Sequence, residues 1–181
     1  MVDHLLPPDP GSEVVLVPYD EGWPAAFDRE ERLIRGALGT GALGVHHVGS
    51  TSVPGLTAKP VIDVVLEVSD PGDEDRYVPR LEAAGYALSH REPEWYAHRL
   101  LKRRAPRVNL HVFPTGCPEV VRMLAFRDRL RSDDRDRATY AAAKQALATR
   151  QWEHVQDYAD AKSEVVADIM RRALPQDAGR G

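Results

Sequence analysis

The sequence predicts an α+β fold, in which helices pack on a mixed β-sheet and a helical layer forms the C-terminal part. Two patterns predict this class. Short β-branched runs alternate with helical segments up to residue 114, and the rest of the chain shows helical periodicity alone. No linker is long enough to separate these two parts. We therefore expect one domain built on a sheet of about five strands.

The first elements are the most clearly marked. A β-branched run at 13–18 predicts a short strand. From Trp23 to Leu38, apolar residues recur at the spacing of one helix face, after polar residues that favour a helix start. The runs at 41–48 and 60–68 predict two strands. The second run is apolar on both faces, which is typical of a central strand covered on both sides.

The later elements follow from turn residues and periodicity. Acidic residues followed by Gly85 indicate a helix that ends at this glycine. Alternation indicates a strand at 107–114, preceded by two less regular strands. The less regular strands are 86–90 and 95–103, and the C-terminal helical segments are 118–151 and 156–173.

The domain boundaries follow from the ends of these patterns. Residues 1–12 are rich in Pro and Gly and are predicted to form a flexible lead-in. One domain is expected over residues 13–174, and residues 175–181 are expected to form a frayed tail.

Composition favours a soluble cytoplasmic protein. The 181 residues are 43% hydrophobic and 29% charged, as in ordinary globular domains. The single cysteine, Cys117, excludes an internal disulfide, and no apolar run approaches the roughly 20 residues of a membrane-spanning helix. The first residues lack the basic and then apolar build of a signal peptide, so neither secretion nor a membrane partner is expected.

Charge is distributed unevenly along the chain. The formal net charge is −4, which argues against non-specific binding to nucleic acids. Residues 1–90 carry 6 basic and 15 acidic side chains, whereas residues 91–181 carry 18 basic and 13 acidic ones. A local basic patch in the second half suits an anionic small ligand as well as it suits a nucleic acid.

Asp63 is an unusual residue within the apolar run at 60–68. A charge inside a buried strand is costly unless it is paired or bound to a metal. Asp63 either pairs with a basic residue, such as Lys59 or a buried arginine, or serves as a metal ligand or general base. Both alternatives stay open at this point.

The segment VGSTSVPG brings Gly and small hydroxyl residues directly after a predicted strand. Such a turn can direct N–H groups and hydroxyls at a phosphate, although it also suits the simple capping of a short helix. Lys59 and Arg127 would add positive charge, unless Arg127 only forms ion pairs on a solvated helix face. The candidate phosphate-binding residues of the turn are Gly49, Ser50, Thr51 and Ser52.

Two histidines lie in predicted strands, His47 just before the turn and His111 in the strand at 107–114. Together with Asp63 they would form a single-metal site if their strands are neighbours. The alternative is that each histidine is a structural residue with a hydrogen-bond partner.

Several blocks of the sequence resemble the GrpB family in content and order. They are VPYDEGWPAAF, HHVGSTSVPGLTAKPVIDVVLEV, LHVF, FRDRLRSD and YAAAK, and the resemblance extends from Val14 to Arg172. It implies the nucleotidyltransferase fold of the polymerase-beta-like superfamily over the whole domain. Some GrpB proteins are fused to dephospho-CoA kinase.

The resemblance also implies a site. The superfamily pattern is Gly-Ser, a spacer, two carboxylates one residue apart on a strand and a third carboxylate on a neighbouring strand. Gly49 and Ser50 match the beginning of this pattern, and Asp63 matches the first carboxylate after a spacer of 12 residues.

The chain departs from the superfamily pattern at the other two carboxylates. Val65 stands where the second would fall, and the strand at 107–114 offers Asn109 and His111 instead of an acid. Nucleotidyl transfer of this type uses two metal ions, which need several oxygen ligands. A site of Asp63 with histidines would favour a single transition metal.

Three functions are therefore expected as alternatives. The first is a nucleotidyltransferase-like protein that binds a nucleotide or another phosphorylated small molecule. In it, Asp63 would be the catalytic residue and would hold a divalent ion (Mg, Mn or Zn), helped by His47 or His111. The second is a non-catalytic nucleotide-binding module, and the third is a single-metal phosphohydrolase.

Overall fold

A six-stranded mixed sheet forms the centre of the fold. The computed structural model describes residues 2–5, 15–149 and 161–174. The strands are β1 (Asp3–His4), β2 (Gly44–Val48), β3 (Ile62–Val68), β4 (Ala87–Glu92), β5 (His98–Arg103) and β6 (Val108–Pro114). Their order across the sheet is β1-β4-β5-β6-β3-β2. β3 and β6 run parallel, and the other neighbouring pairs are antiparallel.

Five α-helices accompany the sheet in the part of the chain that the structure describes. They are α1 (Trp23–Leu38), α2 (Val78–Ala83), α3 (Pro118–Ser132), α4 (Asp134–Ala148) and α5 (Ser163–Ala173). α1 and α2 pack on one face of the sheet, and α3 packs on the other. Short 3-10 turns lie at 39–41, 50–52 and 74–76.

The face of the sheet under α1, here called the α1 face, carries the larger apolar cluster. Side chains alternate between the two faces of a strand, and Val64 and Leu66 of β3 lie on the α1 face. They pack in one cluster with Ile34 of α1 and Leu81 of α2, and all four side chains are fully buried. Burying a side chain of this kind contributes about 1.5–3 kcal/mol, so this cluster is a major source of stability.

The opposite face, here called the α3 face, is apolar where α3 covers it and polar beyond. Val65 of β3 and Phe113 of β6 pack against Val120 of α3. Asp63 and Asn109, on the same face, are only half-buried. The α3 face therefore combines a packed apolar area with an adjoining polar area.

Asp136 joins the three C-terminal helices. The side chain of Asp133 accepts a hydrogen bond from the Asp136 N–H at 2.9 Å and so caps α4. The buried Asp136 carboxylate accepts hydrogen bonds from Arg129 of α3 at 2.7 Å and from Arg172 of α5 at 2.6 Å. One acid thus holds the helical layer together.

The predicted α+β class is confirmed, with one more strand than expected. The helix from Trp23 to Leu38 begins and ends as predicted. The strand expected at 13–18 is reduced, among the described residues, to one bridge between Val17 and Ala58. Residues 13 and 14 lie outside the described residues. β1, which belongs to the predicted lead-in, pairs with β4 and was not anticipated.

The helical layer differs from the prediction in one respect. The pattern at 118–151 divides into α3 and α4 because Asp133 leaves the helical conformation to cap α4. The last helix is seen from Ser163. The predicted residues before 161 and the predicted tail at 175–181 lie outside the described residues. In the described ranges, no helix combines the length and the apolar character that crossing a bilayer requires.

Candidate functional site

Asp63 lies near the start of β3 on the α3 face. Its neighbours across the sheet are Val48 of β2 and Asn109 of β6. The Asn109 side-chain amide donates a hydrogen bond to Asp63 Oδ1 over 2.9 Å. Burial raises the pKa of Asp63, whereas the hydrogen bond from Asn109 and nearby lysines lower it. Burial has the largest effect, so the pKa of Asp63 is raised overall, and the neutral donor and the cations offset part of the cost of the buried charge.

The turn that begins at Gly49 packs directly on Asp63. Gly49 has φ 69° and ψ −174°, a conformation that only glycine adopts readily. A Cβ at this position would lie 2.3 Å from Asp63 Oδ2, so no side chain fits there. Gly49 is exposed and Ser50 is half-buried, which leaves the turn accessible beside the carboxylate. The structure thus brings the predicted turn and Asp63 together.

Thr51 and Ser52 maintain the shape of the turn. Both residues are buried. The Thr51 hydroxyl donates to the Val61 carbonyl over 3.1 Å, and the Ser52 hydroxyl donates to the Gly49 carbonyl over 2.6 Å. Because these hydroxyls are engaged within the protein, we reassign both residues from phosphate binding to the structure of the turn.

Three lysines, here called the lysine cluster, act electrostatically on the Asp63 carboxylate: Lys59, Lys144 and Lys162. Lys144 is buried, and its Nζ donates to the Thr57 carbonyl over 2.5 Å. Burial and the neighbouring Lys162 lower the pKa of Lys144 to about 7. Burial also lowers the pKa of Lys162 to about 8. Both values lie below the ordinary pKa of lysine, because burial disfavours the charged form.

Two arginines of α3 hold the turn from the other side. Arg127 Nη1 donates to the His47 carbonyl over 3.1 Å, and Arg131 Nε donates to the Ser52 carbonyl over 2.9 Å. Arg127 also binds Asp128 through Nε and Nη2. The predicted Arg127 is therefore adjacent to the turn, where it fixes the backbone.

His47 lies on the α1 face, away from Asp63. It pairs across the sheet with Val64, whose side chain belongs to the α1-face cluster. Its ring stacks on Phe27 with centroids 4.8 Å apart, and its Nε2 lies 3.1 Å from the Thr51 hydroxyl. Burial lowers the pKa of His47 to about 4. The prediction that His47 joins Asp63 in a metal site is wrong, because alternate residues of a strand point to opposite faces.

His111 lies on the α3 face, opposite Val65 of β3. Its Nδ1 lies 3.1 Å from His98 Nε2, and His98 Nδ1 lies 2.6 Å from Glu92 Oε2. Burial, and next the charge of Lys102, lower the pKa of His111 to about 4. His111 therefore shares a face with Asp63 but belongs to a row of side chains that continues onto β5 and β4.

The residues at Asp63 do not fit a pair of divalent metal ions. Such ions need several oxygen ligands, mainly carboxylates. Val65, in the place of the second carboxylate, is completely buried against Phe113 and Val120. Asn109 stands in the place of the third. Within the described part of the chain, no group of three or more His, Cys, Asp or Glu residues is arranged to hold a metal ion.

Three residues of this region were missed in the sequence. Lys162 has no local pattern that distinguishes it from a solvated helix lysine. His98 lies in the predicted strand at 95–103, whereas Glu92 lies beyond the end of the predicted strand at 86–90. Their connection to His111 depends on the order of β4, β5 and β6, which one sequence does not reveal.

Comparison with known proteins identifies the family. The family model described as "GrpB protein" matches residues 13–172. A UPF0157 protein of Halalkalibacterium halodurans is 54% identical over 162 residues, which are 90% of this chain and 83% of that protein. A dephospho-CoA kinase of Mycolicibacterium paratuberculosis is 32% identical over 88% of this chain, which spans 46% of that protein.

A solved structure supports the same assignment. The crystal structure of the conserved protein GrpB from Enterococcus faecalis superposes with a TM-score of 0.79 at 29% identity. The match covers 89% of this chain and 98% of that chain. This fold is consistent with the nucleotidyltransferase superfamily. The chain therefore belongs to the GrpB family.

Proposed function

We propose that the chain binds a nucleotide or another phosphorylated small molecule on the α3 face, where the Gly49–Ser50 turn meets Asp63. The observation that carries this proposal is the lysine cluster, whose three side chains act electrostatically on one carboxylate. A phosphate group would add the negative charge that a single carboxylate does not supply.

The electrostatics of the lysines support an anionic ligand. Lys162 lowers the pKa of Lys144, and Lys59 lowers that of Lys162, so these like charges repel one another. Asp63 acts in the opposite direction on both Lys144 and Lys162. A bound phosphate would relieve the repulsion and raise both pKa values, because an opposite charge nearby favours the charged form.

The turn supports the approach of a phosphate at short range. The Asp63 carboxylate fills the space where a Gly49 side chain would lie, so a phosphate would approach the exposed side of the turn. The half-buried Ser50 hydroxyl would be the additional donor. Arg127 and Arg131 hold the backbone in place and add positive charge on the side of α3.

Two forms of this proposal differ in their chemistry. In the first, the site transfers a nucleotidyl or phosphoryl group by in-line attack, with charge at phosphorus stabilised by the lysine cluster. In the second, the site is a non-catalytic binding module, which the buried Val65 favours because it removes a carboxylate from the reaction centre. The single-metal phosphohydrolase expected from the sequence loses its support, since His47 lies on the α1 face.

Two further points belong to the proposal. Similarity to part of a protein named dephospho-CoA kinase supports a phosphorylated small molecule as ligand. The donor atoms at Asp63 fit paired metal ions poorly, so positive charge in this proposal comes from lysine side chains. A cytoplasmic location, expected from the composition, suits such a ligand.

Isothermal titration of the full chain with ATP, AMP and inorganic phosphate tests the binding. We expect saturable binding that weakens with added salt. Lys162→Met should weaken it roughly 10- to 100-fold, since a hydrogen bond to a charged group contributes about 1.5–3 kcal/mol. Arg171→Met is the matched control, because Arg171 is an exposed cation of α5, the helix that Lys162 directly precedes.

The outcomes separate the alternatives. Absence of saturable binding to the wild-type chain, or an equal loss in both variants, overturns the proposed site. Phosphorus NMR of bound nucleotide over time then separates the two forms, since only a transferase consumes the nucleotide. Persistent binding without consumption supports the binding module.

A further inference from the structure

A row of three side chains crosses the α3 face from a carboxylate to His111. Glu92 of β4 lies opposite His98 of β5, and His111 of β6 lies opposite the neighbouring Leu100. Glu92 Oε2 and His98 Nδ1 are 2.6 Å apart, and His98 Nε2 and His111 Nδ1 are 3.1 Å apart. Both distances are hydrogen bonds, so both nitrogens of the central ring are engaged.

Which atom donates in each of these bonds follows from which atoms can carry a hydrogen. A carboxylate only accepts, so His98 Nδ1 carries the hydrogen that Glu92 accepts. The neutral His98 ring then has a bare Nε2, which must accept a hydrogen from His111 Nδ1. His111 is left with an unprotonated Nε2. Within the described residues, no group forms a hydrogen bond to this nitrogen.

The central ring is held rigidly. His98 is 1% exposed and stacks on Phe113 with centroids 4.6 Å apart. Trp95 meets the same ring at 4.8 Å in an edge-on arrangement. Burial lowers the pKa of His98 to about 2, so this ring stays neutral and keeps the direction of its two bonds.

His111 lies close to the proposed binding site. Asp63 pairs with Asn109, two residues before His111 on the same face of β6. Diagonal neighbours of this kind lie roughly 7–8 Å apart, within reach of one bound molecule. The charged and titratable groups that contact His111 or interact with it electrostatically are His98 and Lys102 of β5, His90 of β4 and, through His98, Glu92.

We propose that His111 is the general base of this site and that His98 and Glu92 are positioning residues which keep its Nε2 unprotonated. This inference rests on the transferase form of the proposed function. The acceptor would be an alcohol or a water molecule, whose oxygen needs to lose a proton as it attacks phosphorus.

The proposed step conserves atoms and charge. His111 Nε2 takes the proton of the acceptor hydroxyl while the acceptor oxygen forms its bond to phosphorus. The bond from phosphorus to the leaving oxygen breaks, and the leaving group departs with the electron pair, as pyrophosphate in nucleotidyl transfer or as a nucleoside diphosphate in phosphoryl transfer. Burial disfavours the resulting imidazolium, and its Nδ1–H bond to His98 and, through that ring, the Glu92 carboxylate offset part of this cost.

Nitrogen-15 NMR of histidine-labelled protein tests the positioning without any substrate. At neutral pH we expect His111 in the Nδ1–H tautomer, which free histidine disfavours. His98→Phe keeps an aromatic ring but removes the acceptor, so His111 should change to the Nε2–H tautomer. An Nε2–H tautomer or an imidazolium at His111 in the wild-type chain overturns the inference.

Turnover tests the chemical role. With a bound nucleotide, His111→Gln should lower the rate of nucleotide consumption roughly 100- to 10,000-fold, with little change in affinity. His46→Gln is the control, because His46 lies on β2, which β3 separates from β6, and its Nε2 lies 2.8 Å from Glu67 Oε1. Equal rates in wild type and His111→Gln, or binding without any turnover in the wild type, overturn the base role. If the wild-type chain binds no nucleotide, the proposed function is refuted. The tautomer measurement uses no nucleotide, so it still tests the positioning of His111 in that case.

Discussion

Replacing Gly49 with alanine tests the contact that joins the turn to Asp63. A residue with a Cβ at φ 69° and ψ −174° costs about 1–3 kcal/mol in backbone strain. The added Cβ would also lie 2.3 Å from Asp63 Oδ2 and 2.9 Å from its Cβ and Cγ. Overpacking of this kind costs about 1–3 kcal/mol more. We therefore expect Gly49→Ala to lower the free energy of unfolding by about 4 kcal/mol.

Thermal unfolding followed by circular dichroism measures this loss. For a domain of this size, 1 kcal/mol changes the Tm by about 2–4 °C, so the expected fall is roughly 8–16 °C. Gly55→Ala is the matched control. Gly55 also has a positive φ of 77°, but nothing lies within 4 Å of the added Cβ. Its variant should show the backbone strain without the clash.

The comparison of the two glycines decides the reasoning. Equal falls in Tm for Gly49→Ala and Gly55→Ala would refute a direct contact between the turn and the carboxylate. The double variant Gly49→Ala with Asp63→Ala provides an independent measure. Because truncating Asp63 removes two of the three close atoms, the two substitutions should be coupled by about 0.5–3 kcal/mol, with the double variant more stable than the sum predicts.

Three other predictions concern pH and buried charge. The pKa of Lys144 is lowered by burial from 10.5 to about 7, so the unfolded chain binds more protons between these values and stability rises with pH there. Urea titrations near pH 7 and near pH 10 measure this gain in stability, and Lys144→Met should reduce it. An unchanged gain in the variant contradicts the burial of the Lys144 charge. The hydrogen bonds from Arg172 and Arg129 hold the pKa of Asp136 below 3.8, so its carboxylate stabilises the fold above that pH and loses this effect in acid. Asp136→Asn should lower the urea midpoint at pH 7, and its difference from wild type should shrink near pH 2. Burial lowers the pKa of His47 from 6.5 to about 4, so wild-type stability should fall as pH falls between these values. In urea titrations over this pH range, His47→Leu should show a smaller loss of stability than the wild type. An equal loss in both proteins would mean that the His47 ring is more solvated than its burial implies.

Much of the fold was predictable because the signals are local. The helix from Trp23 to Leu38 follows from its apolar spacing, and β3 and β6 follow from β-branched and alternating runs. The division at Asp133 is harder to predict, because an Asp within a long helical pattern is compatible with a solvated helix surface as well as with a cap. β1 is two residues long and depends on pairing with β4, so no local pattern announces it.

The candidate site was predicted in part. The proximity of Gly49 and Asp63 came from a family resemblance, and the structure explains it by direct contact. The placement of His47 was wrong, because its strand position fixes a face only after the register with β3 is known. Thr51 and Ser52 have the side chains that phosphate sites use, but their hydroxyls bind carbonyl groups of the protein.

From the sequence alone come the fold class, the family and the unusual carboxylate, since each depends on residue types that are close together along the chain. The surroundings of that carboxylate depend on contacts between distant segments. Lys59, Lys144 and Lys162 meet at Asp63 only because the C-terminal helices fold back over the sheet. The row from Glu92 to His111 exists only because β4, β5 and β6 are neighbours in a fixed register. Burial of the whole core outweighs any local preference and sets the order and register of the strands. That order and register bring these side chains within reach of one another.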